Sequence, residues 1–347
     1  NALGDRKGAV VAIDLNTEGI NVLYSAPNYS INKLSNGVSV EEFDSLIQDP
    51  DKPFFNRALQ GRYPPASTIK PAIGMFGLTN NLVSWMDEID DPGFFRLPET
   101  GRIYRGWKKG GHNNVNLNKA LMVSSNTYFF KLAYQSDMTD LASYFSLFGF
   151  GNKVCRDCFD EDKVFLPSPE WKNKTFNTPW FTGDTVNIGV GQGYLVATPM
   201  QLANYISIVA NKGVALSPSI ANVDHEAADL YQNNRISLSS GDWNNMHDAL
   251  TAVIESDSGT ARSIRYLKDF KVAGKSGTAE LVSLDSKEAY LEVRDTELLR
   301  DHSIIIAFGP MPNPKYAVSV VIENGESGGA VAGPVAIEVL KSLLNEQ

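Results

Sequence analysis

A serine and a lysine lie three residues apart in the stretch "YPPASTIKP", at Ser67 and Lys70. Residues three apart share one face of a helix, so the two side chains are neighbours if a helix begins near Ser67. Pro71 favours that start, because proline costs least in the first helical turn. The positive end of a helix stabilises a developing oxyanion, and a buried lysine can act as a base toward the serine. The stretch therefore predicts either a nucleophile with its base or an ordinary solvated helix start.

A second polar group, Ser124 to Asn126, lies within an otherwise apolar stretch. The segment "VNLNKALMVSSNTYFFKLAYQ" has the periodicity of one mostly buried helix. Polar side chains inside such a helix need partners, since an unsatisfied buried group costs about 1–3 kcal/mol. We therefore expect a polar functional site here, with a helix N-cap or a satisfied polar cluster as the alternative.

A third group, "KSGTA", runs from Lys275 to Ala279 on a predicted strand. The lysine and the hydroxyls of Ser276 and Thr278 would offer a carboxylate one charge and two donors. Gly277 weakens a strand but lets a ligand approach the backbone closely. The alternative is an edge strand whose lysine discourages aggregation.

The strands that must position these groups lie near the two ends of the chain. The segments "GAVVAIDLNTEGINVLYSAP" and "HSIIIAFGPMPNPKYAVSVVIEN" each contain two apolar runs joined by a turn, which predicts two β-hairpins. The segment "FKVAGKSGTAELV" supplies a fifth strand, and the middle of the chain is mostly helical in pattern, as is its end at residues 334–344. We predict an α+β fold in which N- and C-terminal strands form an antiparallel five-stranded sheet, covered by a large helical insertion.

The composition is that of a folded globular domain. Of the 347 residues, 43% are hydrophobic and 20% are charged, which is far from the composition of a disordered chain. The net charge of -9 and the lack of a Lys/Arg-rich run argue against a nucleic-acid partner. No apolar run approaches the roughly 18–20 residues of a membrane-spanning helix. The chain begins at Asn1 without a leader, so we expect any export signal or anchor to lie outside it.

The two cysteines, Cys155 and Cys158, form a C-x-x-C pair in "VCRDC". A redox-active pair would be expected at a helix start after a strand, whereas this pair follows a glycine-rich turn. A zinc site would need two further ligands at suitable spacing. We therefore expect a loop pair, free or bridged according to the compartment.

The three polar groups are far more specific together than singly. In this order, S-x-x-K, S-x-N and K-S-G-T are the signature set of penicillin-binding proteins and class A β-lactamases. The segments "NRALQGRYPPASTIKP", "YRGWKKGGH", "WFTGDTVNIGVGQGYLVATPMQLA" and "AGKSGTAE" narrow the match. Over essentially its whole length, the chain resembles the transpeptidase domain of class B penicillin-binding proteins of the cell-elongation type.

The resemblance implies a peptidoglycan D,D-transpeptidase that works through a serine acyl-enzyme. Ser67 would attack the carbonyl of the penultimate D-Ala of a stem peptide, and Lys70 would take the proton of Ser67. Ser124 would pass a proton to the leaving amine. Asn126 would orient the substrate amide and Lys70, and Lys275 would support the proton relay. These five residues are the predicted catalytic set.

The resemblance also implies a substrate-binding strand. Ser276 and Thr278 would bind the substrate carboxylate, with Gly277 and Ala279 beside them. Backbone N–H groups of Ser67 and Thr278 would form the oxyanion hole. β-Lactams would imitate the D-Ala-D-Ala end of the stem peptide and remain attached to the serine.

The expected partners follow from the same resemblance. They are peptidoglycan stem peptides, β-lactam antibiotics, and a membrane glycosyltransferase with other proteins of the elongation machinery. No cofactor is expected. Residues 1–347 would form one transpeptidase domain at the periplasmic face of the inner membrane, with the membrane anchor and pedestal domain outside this chain.

The chain departs from its relatives at three positions. Ser276 stands where many relatives have threonine, and either residue supplies a hydroxyl. Some relatives carry Asp at the position of Gly106 and Cys at the position of Ser125. In those relatives the two side chains would bind a metal together with a histidine at the position of His112. With both replaced, we expect no metal here, and we expect His112 to be a hydrogen-bonded structural residue.

Two rival functions share the acylated serine. A class A β-lactamase needs a glutamate for deacylation, and no convincing E-x-x-L-N lies between the second and third groups; class D enzymes lack this kind of S-x-N. A non-enzymatic β-lactam sensor of the same fold would be joined to a signalling membrane segment. The elongation-type resemblance favours the transpeptidase, and we predict slow hydrolysis of the acyl-enzyme.

Overall fold

The computed structural model describes residues 3–221, 236–281 and 296–345. Its strands are β1 (Gly8–Asp14), β2 (Ile20–Ala26), β3 (Ile89–Asp91), β4 (Phe94–Arg96), β5 (Ile103–Arg105), β6 (Asn113–Val115), β7 (Lys271–Ala279), β8 (His302–Met311) and β9 (Tyr316–Ile322). Five of them form one antiparallel sheet in the order β2-β1-β9-β8-β7. The two predicted hairpins and the fifth strand are all present, so the predicted sheet is confirmed.

The two ends of the chain meet inside this sheet. Strand β1 pairs with β9, with Val11 opposite Ser319. Strand β7, which carries the third polar group, lies at one edge of the sheet as described, where it pairs with β8, with Lys275 opposite Ile306. An edge strand has backbone groups on one side that no neighbouring strand uses, and these are available to a ligand.

The helices come mainly from the segment between β2 and β7. They are α1 (Ile31–Ser35), α2 (Val40–Gln48), α3 (Arg57–Gln60), α4 (Lys70–Thr79), α5 (Leu117–Met122), α6 (Asn126–Tyr134), α7 (Met138–Ser146), α8 (Pro169–Phe176), α9 (Thr182–Ile188), α10 (Pro199–Ala210), α11 (Ser240–Glu255) and α12 (Gly333–Asn345). The described part of the chain contains no helix with both the length and the hydropathy needed to cross a membrane.

The core lies on both faces of the main sheet. Along β9, Ala317 and Val321 face the helical insertion, whereas Val318 and Val320 face α12, as the two-residue period of a strand requires. On the insertion side the sheet packs against α10, every residue of which is buried. Each fully buried aliphatic side chain contributes about 1.5–3 kcal/mol, so this double-sided core holds the edge strand β7 firmly in place.

The single helix predicted around Ser124 is wrong. The structure has two helices, α5 and α6, which are separated at residues 123–125. Ser124 has a φ of 56°, in the left-handed region, and Ser125 caps α6 by accepting a hydrogen bond from the N–H of Tyr128 over 3.2 Å. Both helices are rich in buried apolar residues, so the apolar pattern alone did not reveal the break between them.

Candidate active site

Ser67 lies in a short 3₁₀ turn, Ala66–Ile69, that leads directly into α4. The α-helix begins at Lys70, three residues later than the predicted start near Ser67. The N–H of Lys70 donates to the Ser67 carbonyl, a tighter 3₁₀ bond of the kind that often closes a helix terminus. Pro71 occupies the first helical turn as predicted. Ser67 is therefore half-buried and stands one turn ahead of Lys70.

The Ser67 turn is held from the opposite side by a glycine. Ala66 has a left-handed φ of 49°, and its N–H donates to the carbonyl of Gly191 over 2.9 Å. A Cβ on Gly191, whose φ is 71°, would lie 2.1 Å from the carbonyl oxygen of Ala66. This contact leaves space only for glycine at position 191, and it fixes the position of Ala66, the residue before Ser67.

Lys70 is completely buried, and its Nζ faces the second polar group. Its Nζ donates to the Ser124 carbonyl over 2.9 Å, to Ser124 Oγ over 3.2 Å and to Asn126 Oδ1 over 2.7 Å. The left-handed backbone at Ser124 turns this carbonyl and hydroxyl toward Lys70. The first two predicted groups are thus in direct contact.

Lys275 reaches the same hydroxyl from the edge strand β7. Its Nζ donates to Ser124 Oγ over 3.0 Å and to its neighbour's carbonyl, that of Ser276, over 3.0 Å. Like Lys70, it is completely buried. Ser124 therefore lies between two lysines that come from opposite ends of the sequence.

Burial changes the protonation of both lysines. Burial lowers the pKa of Lys70 well below its usual value; the positive charge of Lys275 lowers it further, and Asp91 opposes the change. Burial lowers the pKa of Lys275 to about 7. A neutral Lys70 amine has only two N–H groups, so it can donate to two of these three oxygens at a time, and its lone pair is free to accept a proton.

The third polar group is supported by a residue outside it. Ser276 Oγ and Thr260 Oγ1 are 2.8 Å apart and hydrogen-bonded. Ser276 is almost buried, whereas Thr278 is exposed and Ala279 is buried. The strand therefore presents its hydroxyl groups at different depths.

Gly277 allows a close approach to the protein itself. A Cβ at this position would lie 3.0 Å from Thr68 Cγ2 and 3.2 Å from the Pro65 carbonyl oxygen. The lack of a side chain thus lets β7 lie against the Ser67 turn. Its part in binding a ligand, expected from the sequence, stays a prediction.

The residues around His112 do not fit a metal. Gly106 has no side chain to offer. Asp91 Oδ2 accepts hydrogen bonds from His112 Nδ1 over 2.8 Å and from Ser125 Oγ over 2.7 Å, so one carboxylate oxygen already serves both groups. A serine hydroxyl is a weak ligand beside the thiolate that relatives are expected to carry. His112 is hydrogen-bonded through Nδ1, as expected for a structural residue, whereas its Nε2 is buried and has no hydrogen-bond partner among the described residues.

The two cysteines are joined in a disulfide, with Cα atoms 5.4 Å apart. Over the described ranges, the only group of three potential metal ligands is Cys155, Asp157 and Cys158. Both sulfurs are bonded to each other, and the Asp157 carboxylate accepts hydrogen bonds from Ser219 and from two backbone N–H groups. This loop therefore offers no free ligand set.

Three residues of the site were missed at the level of sequence: Asp91, Trp107 and Thr260. The Trp107 indole donates to the carbonyls of residues 123 and 124, each over 3.2 Å. Thr260 had a visible signal, because "SGTA" at 258–261 repeats the tetrapeptide at 276–279. Asp91 had none, since it stands among several acids in "DEIDDPG".

Known proteins are similar to this chain in sequence and in fold. A family model described as the penicillin binding protein transpeptidase domain matches residues 8–341. The protein named peptidoglycan D,D-transpeptidase MrdA from Acinetobacter baumannii is 38% identical over 336 residues, which cover 95% of this chain and 50% of that protein.

Solved structures agree. The crystal structure of Pseudomonas aeruginosa PBP2 in complex with WCK 5153 has a TM-score of 0.89 and 36% identity, over 99% of this chain and 75% of that one. Helicobacter pylori PBP2 in its complex with MreC has a TM-score of 0.85 and 29% identity, over 99% of this chain and 61% of that one. The chain spans about half the length of the curated relatives it matches, at 50% and 55% of the first two.

Proposed function

The chain belongs to the penicillin binding protein transpeptidase domain family, and from this premise we propose that it crosslinks peptidoglycan stem peptides by D,D-transpeptidation during cell elongation. One observation carries the proposal. Two buried lysines, Lys70 and Lys275, meet at the hydroxyl of Ser124, and Lys70 lies one helical turn after the half-buried Ser67. This is an arrangement for activating a serine and returning a proton to a leaving amine.

In the proposed acylation, Ser67 Oγ attacks the carbonyl carbon of the penultimate D-Ala. Neutral Lys70 accepts the proton of Ser67 as the new C–O bond forms. The C–N bond to the terminal D-Ala then breaks, and the leaving nitrogen takes a proton through Ser124, which Lys70 and Lys275 can resupply. Asn126 holds Lys70 in place through its side-chain oxygen. The products are an acyl-enzyme and free D-Ala.

The proposed substrate contacts are on β7. Charged Lys275 attracts the terminal carboxylate of the substrate, which Ser276 and Thr278 bind through their hydroxyls. The oxyanion is stabilised by backbone N–H groups of Ser67 and Thr278, which lie at the start of a helix and on an edge strand. Removing one such donor typically costs about 100- to 1000-fold in rate.

The second half of the proposed reaction is transfer to an amine. The amino group of a neighbouring stem peptide attacks the acyl-enzyme ester, gives its proton back to Ser67 through Lys70, and forms the crosslink. A β-lactam enters by the same acylation, but its opened ring stays attached to the enzyme. We expect water to attack this ester slowly.

The proposed setting is the periplasmic face of the inner membrane, within the elongation machinery. The relative from Helicobacter pylori forms a complex with MreC. By analogy, we propose that the full-length protein contacts machinery of this kind and a membrane glycosyltransferase. A pull-down of the full-length protein from membranes, with Ser67→Ala as a catalytically silent bait, would identify these partners.

The proposal is tested by intact-protein mass after incubation with benzylpenicillin. We expect a stable adduct on the native chain, none on Ser67→Ala, and a normal one on Ser143→Ala, an exposed serine of α7. Labelling that persists without Ser67 would overturn the assignment, and rapid turnover of penicillin would favour a β-lactamase.

A second assay separates an enzyme from a sensor. A pentapeptide ending in D-Ala-D-Ala is supplied with an acceptor amine, and we expect release of D-Ala together with the exchanged peptide. A protein that forms the penicillin adduct but never transfers the peptide would be a sensor.

A further inference from the structure

Asp91 is a buried acid at the end of β3, directly behind the second polar group. Only 2% of the residue is exposed. Its Oδ1 accepts the N–H of Gly93 over 2.9 Å, and its Oδ2 accepts from both His112 and Ser125. Burial raises the pKa of Asp91, but hydrogen bonding by the Thr127 side chain, and then by Ser125, His112 and the Gly93 N–H, outweighs burial and lowers this pKa below its usual value, so the carboxylate is ionised. A carboxylate can only accept, so His112 Nδ1 carries the proton of the shared bond.

Ser125 connects this carboxylate to two residues of the catalytic set. Its hydroxyl donates to Asp91 and accepts from the N–H of Tyr128, which caps α6. Ser124, in the strained left-handed conformation, precedes it, and Asn126 begins the helix that follows it. A left-handed residue other than glycine is strained and persists only when its surroundings enforce it.

Trp107 and His112 hold the same segment from the other side. The Trp107 indole donates to the carbonyl of Ser124, and its ring lies 5.4 Å from the ring of His112. Lys119 Nζ in turn donates to the carbonyl of His112 over 3.0 Å. The strained residue is thus fixed through its carbonyl and through its neighbour's side chain.

Asp91 is also part of the electrostatics of the lysine pair. The charges that act on Lys70 are those of Lys275, which lowers its pKa, and Asp91, which raises it. The Asp91 carboxylate contacts His112 and Ser125. Lys70 contacts Asn126, and Lys275 contacts the Ser124 hydroxyl that Lys70 also reaches. Removal of the negative charge should therefore leave Lys70 easier to deprotonate.

We propose that Asp91 is a positioning residue for acylation, whose carboxylate, shared between Ser125 and His112, holds Ser124 and Asn126 against Lys70 by hydrogen bonds in place of a metal. The inference rests on the proposed function. It goes beyond it by assigning the geometry of the second polar group to a residue that touches neither substrate nor nucleophile.

The test compares acylation by a fluorescent penicillin for the native chain, Asp91→Asn, Ser125→Ala and the control Asp90→Asn. Asp90 is the adjacent, exposed acid on the same strand, so its variant makes the same chemical change on the solvent side. Asparagine at position 91 has one acceptor oxygen instead of two. Its NH2 group must face either the Gly93 N–H or the two donors His112 and Ser125, so one of these contacts is lost. We expect the second-order acylation constant to fall roughly 10- to 100-fold for Asp91→Asn and Ser125→Ala, and to stay native for Asp90→Asn.

The pH profile separates positioning from general loss of structure. Asp91→Asn should shift the acid limb of the acylation rate to lower pH, because Lys70 loses a negative neighbour, whereas Ser125→Ala should keep that limb in place. The double variant should lose less than the sum of the two single losses, because both cut the same link. If Asp91→Asn does not fold, Ser125→Ala is the test: slower acylation with an unchanged acid limb would support the inference, and a native acylation rate would contradict it.

Two outcomes would contradict the inference. Native acylation rates and an unshifted acid limb in both variants would show that the link has no part in positioning. A loss of native acylation on removal of metal with EDTA, restored by zinc alone, would show that a metal does this work. If the native chain itself takes no penicillin, the proposed function fails instead, which keeps the two failures distinct.

Discussion

Lys70 and Lys275 donate to the same oxygen, the hydroxyl of Ser124, over 3.2 and 3.0 Å. Both side chains are fully buried, and among the described residues no carboxylate forms an ion pair with either of them. Two positive charges that share one acceptor away from water repel each other, so the pair loses a proton more readily than an isolated lysine. We assign the neutral state to Lys70, the base, and the charged state to Lys275, which attracts the substrate carboxylate.

This assignment predicts a bell-shaped pH profile for the second-order acylation constant. Acylation needs Lys70 neutral, so the constant should fall as the pH drops through its lowered pKa. It also needs Lys275 charged, so the constant should fall again as the pH rises through about 7. The apparent values belong to the coupled pair. Stopped-flow acylation of the free enzyme between about pH 5 and 10 measures both limbs.

Lys275→Arg identifies the alkaline limb. Arginine keeps its charge up to a pKa above about 12, so the fall near neutral pH should disappear even if the longer side chain slows the reaction. A native constant that keeps rising well above pH 7, or an arginine variant with an unchanged limb, would rule out Lys275 as its origin.

Thr260 should contribute to carboxylate binding through Ser276. Thr260→Val removes the 2.8 Å hydrogen bond between the two hydroxyls but keeps the shape of the side chain. We expect acylation to slow about fivefold, since a hydrogen bond of this kind contributes about 1 kcal/mol. Thr260→Ser, which keeps the hydroxyl, should stay close to native. Equal rates for valine and serine at this position would show that the contact is not used.

Gly191 should be essential for the backbone around Ser67. Gly191→Ala and Gly193→Ala both place a side chain at positive φ, at 71° and 75°, so both carry the same conformational cost of about 1–2 kcal/mol. Only the first adds a clash, because its Cβ would lie 2.1 Å from the Ala66 carbonyl oxygen, against 3.3 Å from Asn187 Cβ for the second. We expect a lower Tm and at least tenfold slower acylation for Gly191→Ala than for Gly193→Ala. Matching behaviour of the two variants would contradict this role for the contact.

A buried ion pair should anchor the segment before Ser67 to the main sheet. Glu323 accepts from Arg57 Nε over 2.9 Å and from the Tyr63 hydroxyl over 2.8 Å. Glu323→Gln removes the negative charge beside the almost buried Arg57, which keeps its hydrogen bonds to two backbone carbonyls, so the free energy of unfolding should fall by about 1.5–3 kcal/mol. The exposed pair of Lys7 and Asp51 is the control, and Asp51→Asn should cost less than about 1 kcal/mol. Urea unfolding measures both, and equal losses would refute the prediction.

The chemistry of the site could be inferred from the sequence because it resides in residue types at short spacings. Ser67 with Lys70, Ser124 with Asn126, and Lys275 with Ser276 are each local patterns, and their order along the chain was enough to identify the family. The five main strands and α12 were also predictable, since period-two and period-3.6 apolar patterns and turn residues act over a few positions. Local patterns were wrong at Ser124, where two mostly buried helices follow each other with a break of three residues.

Only the tertiary structure decided which of these groups touch. Lys70 and Lys275 reach one hydroxyl because β1 and β9 pair and place the chain's last strands beside its first helices. Asp91 contacts Ser125 only through the fold, since the two residues are far apart in the chain. Nothing in the sequence around Asp91 distinguishes it from the neighbouring acids. The residue types of the catalytic set are determined by the sequence alone. Their distances, their burial and hence their protonation depend on contacts between residues far apart in the chain, which no local pattern encodes.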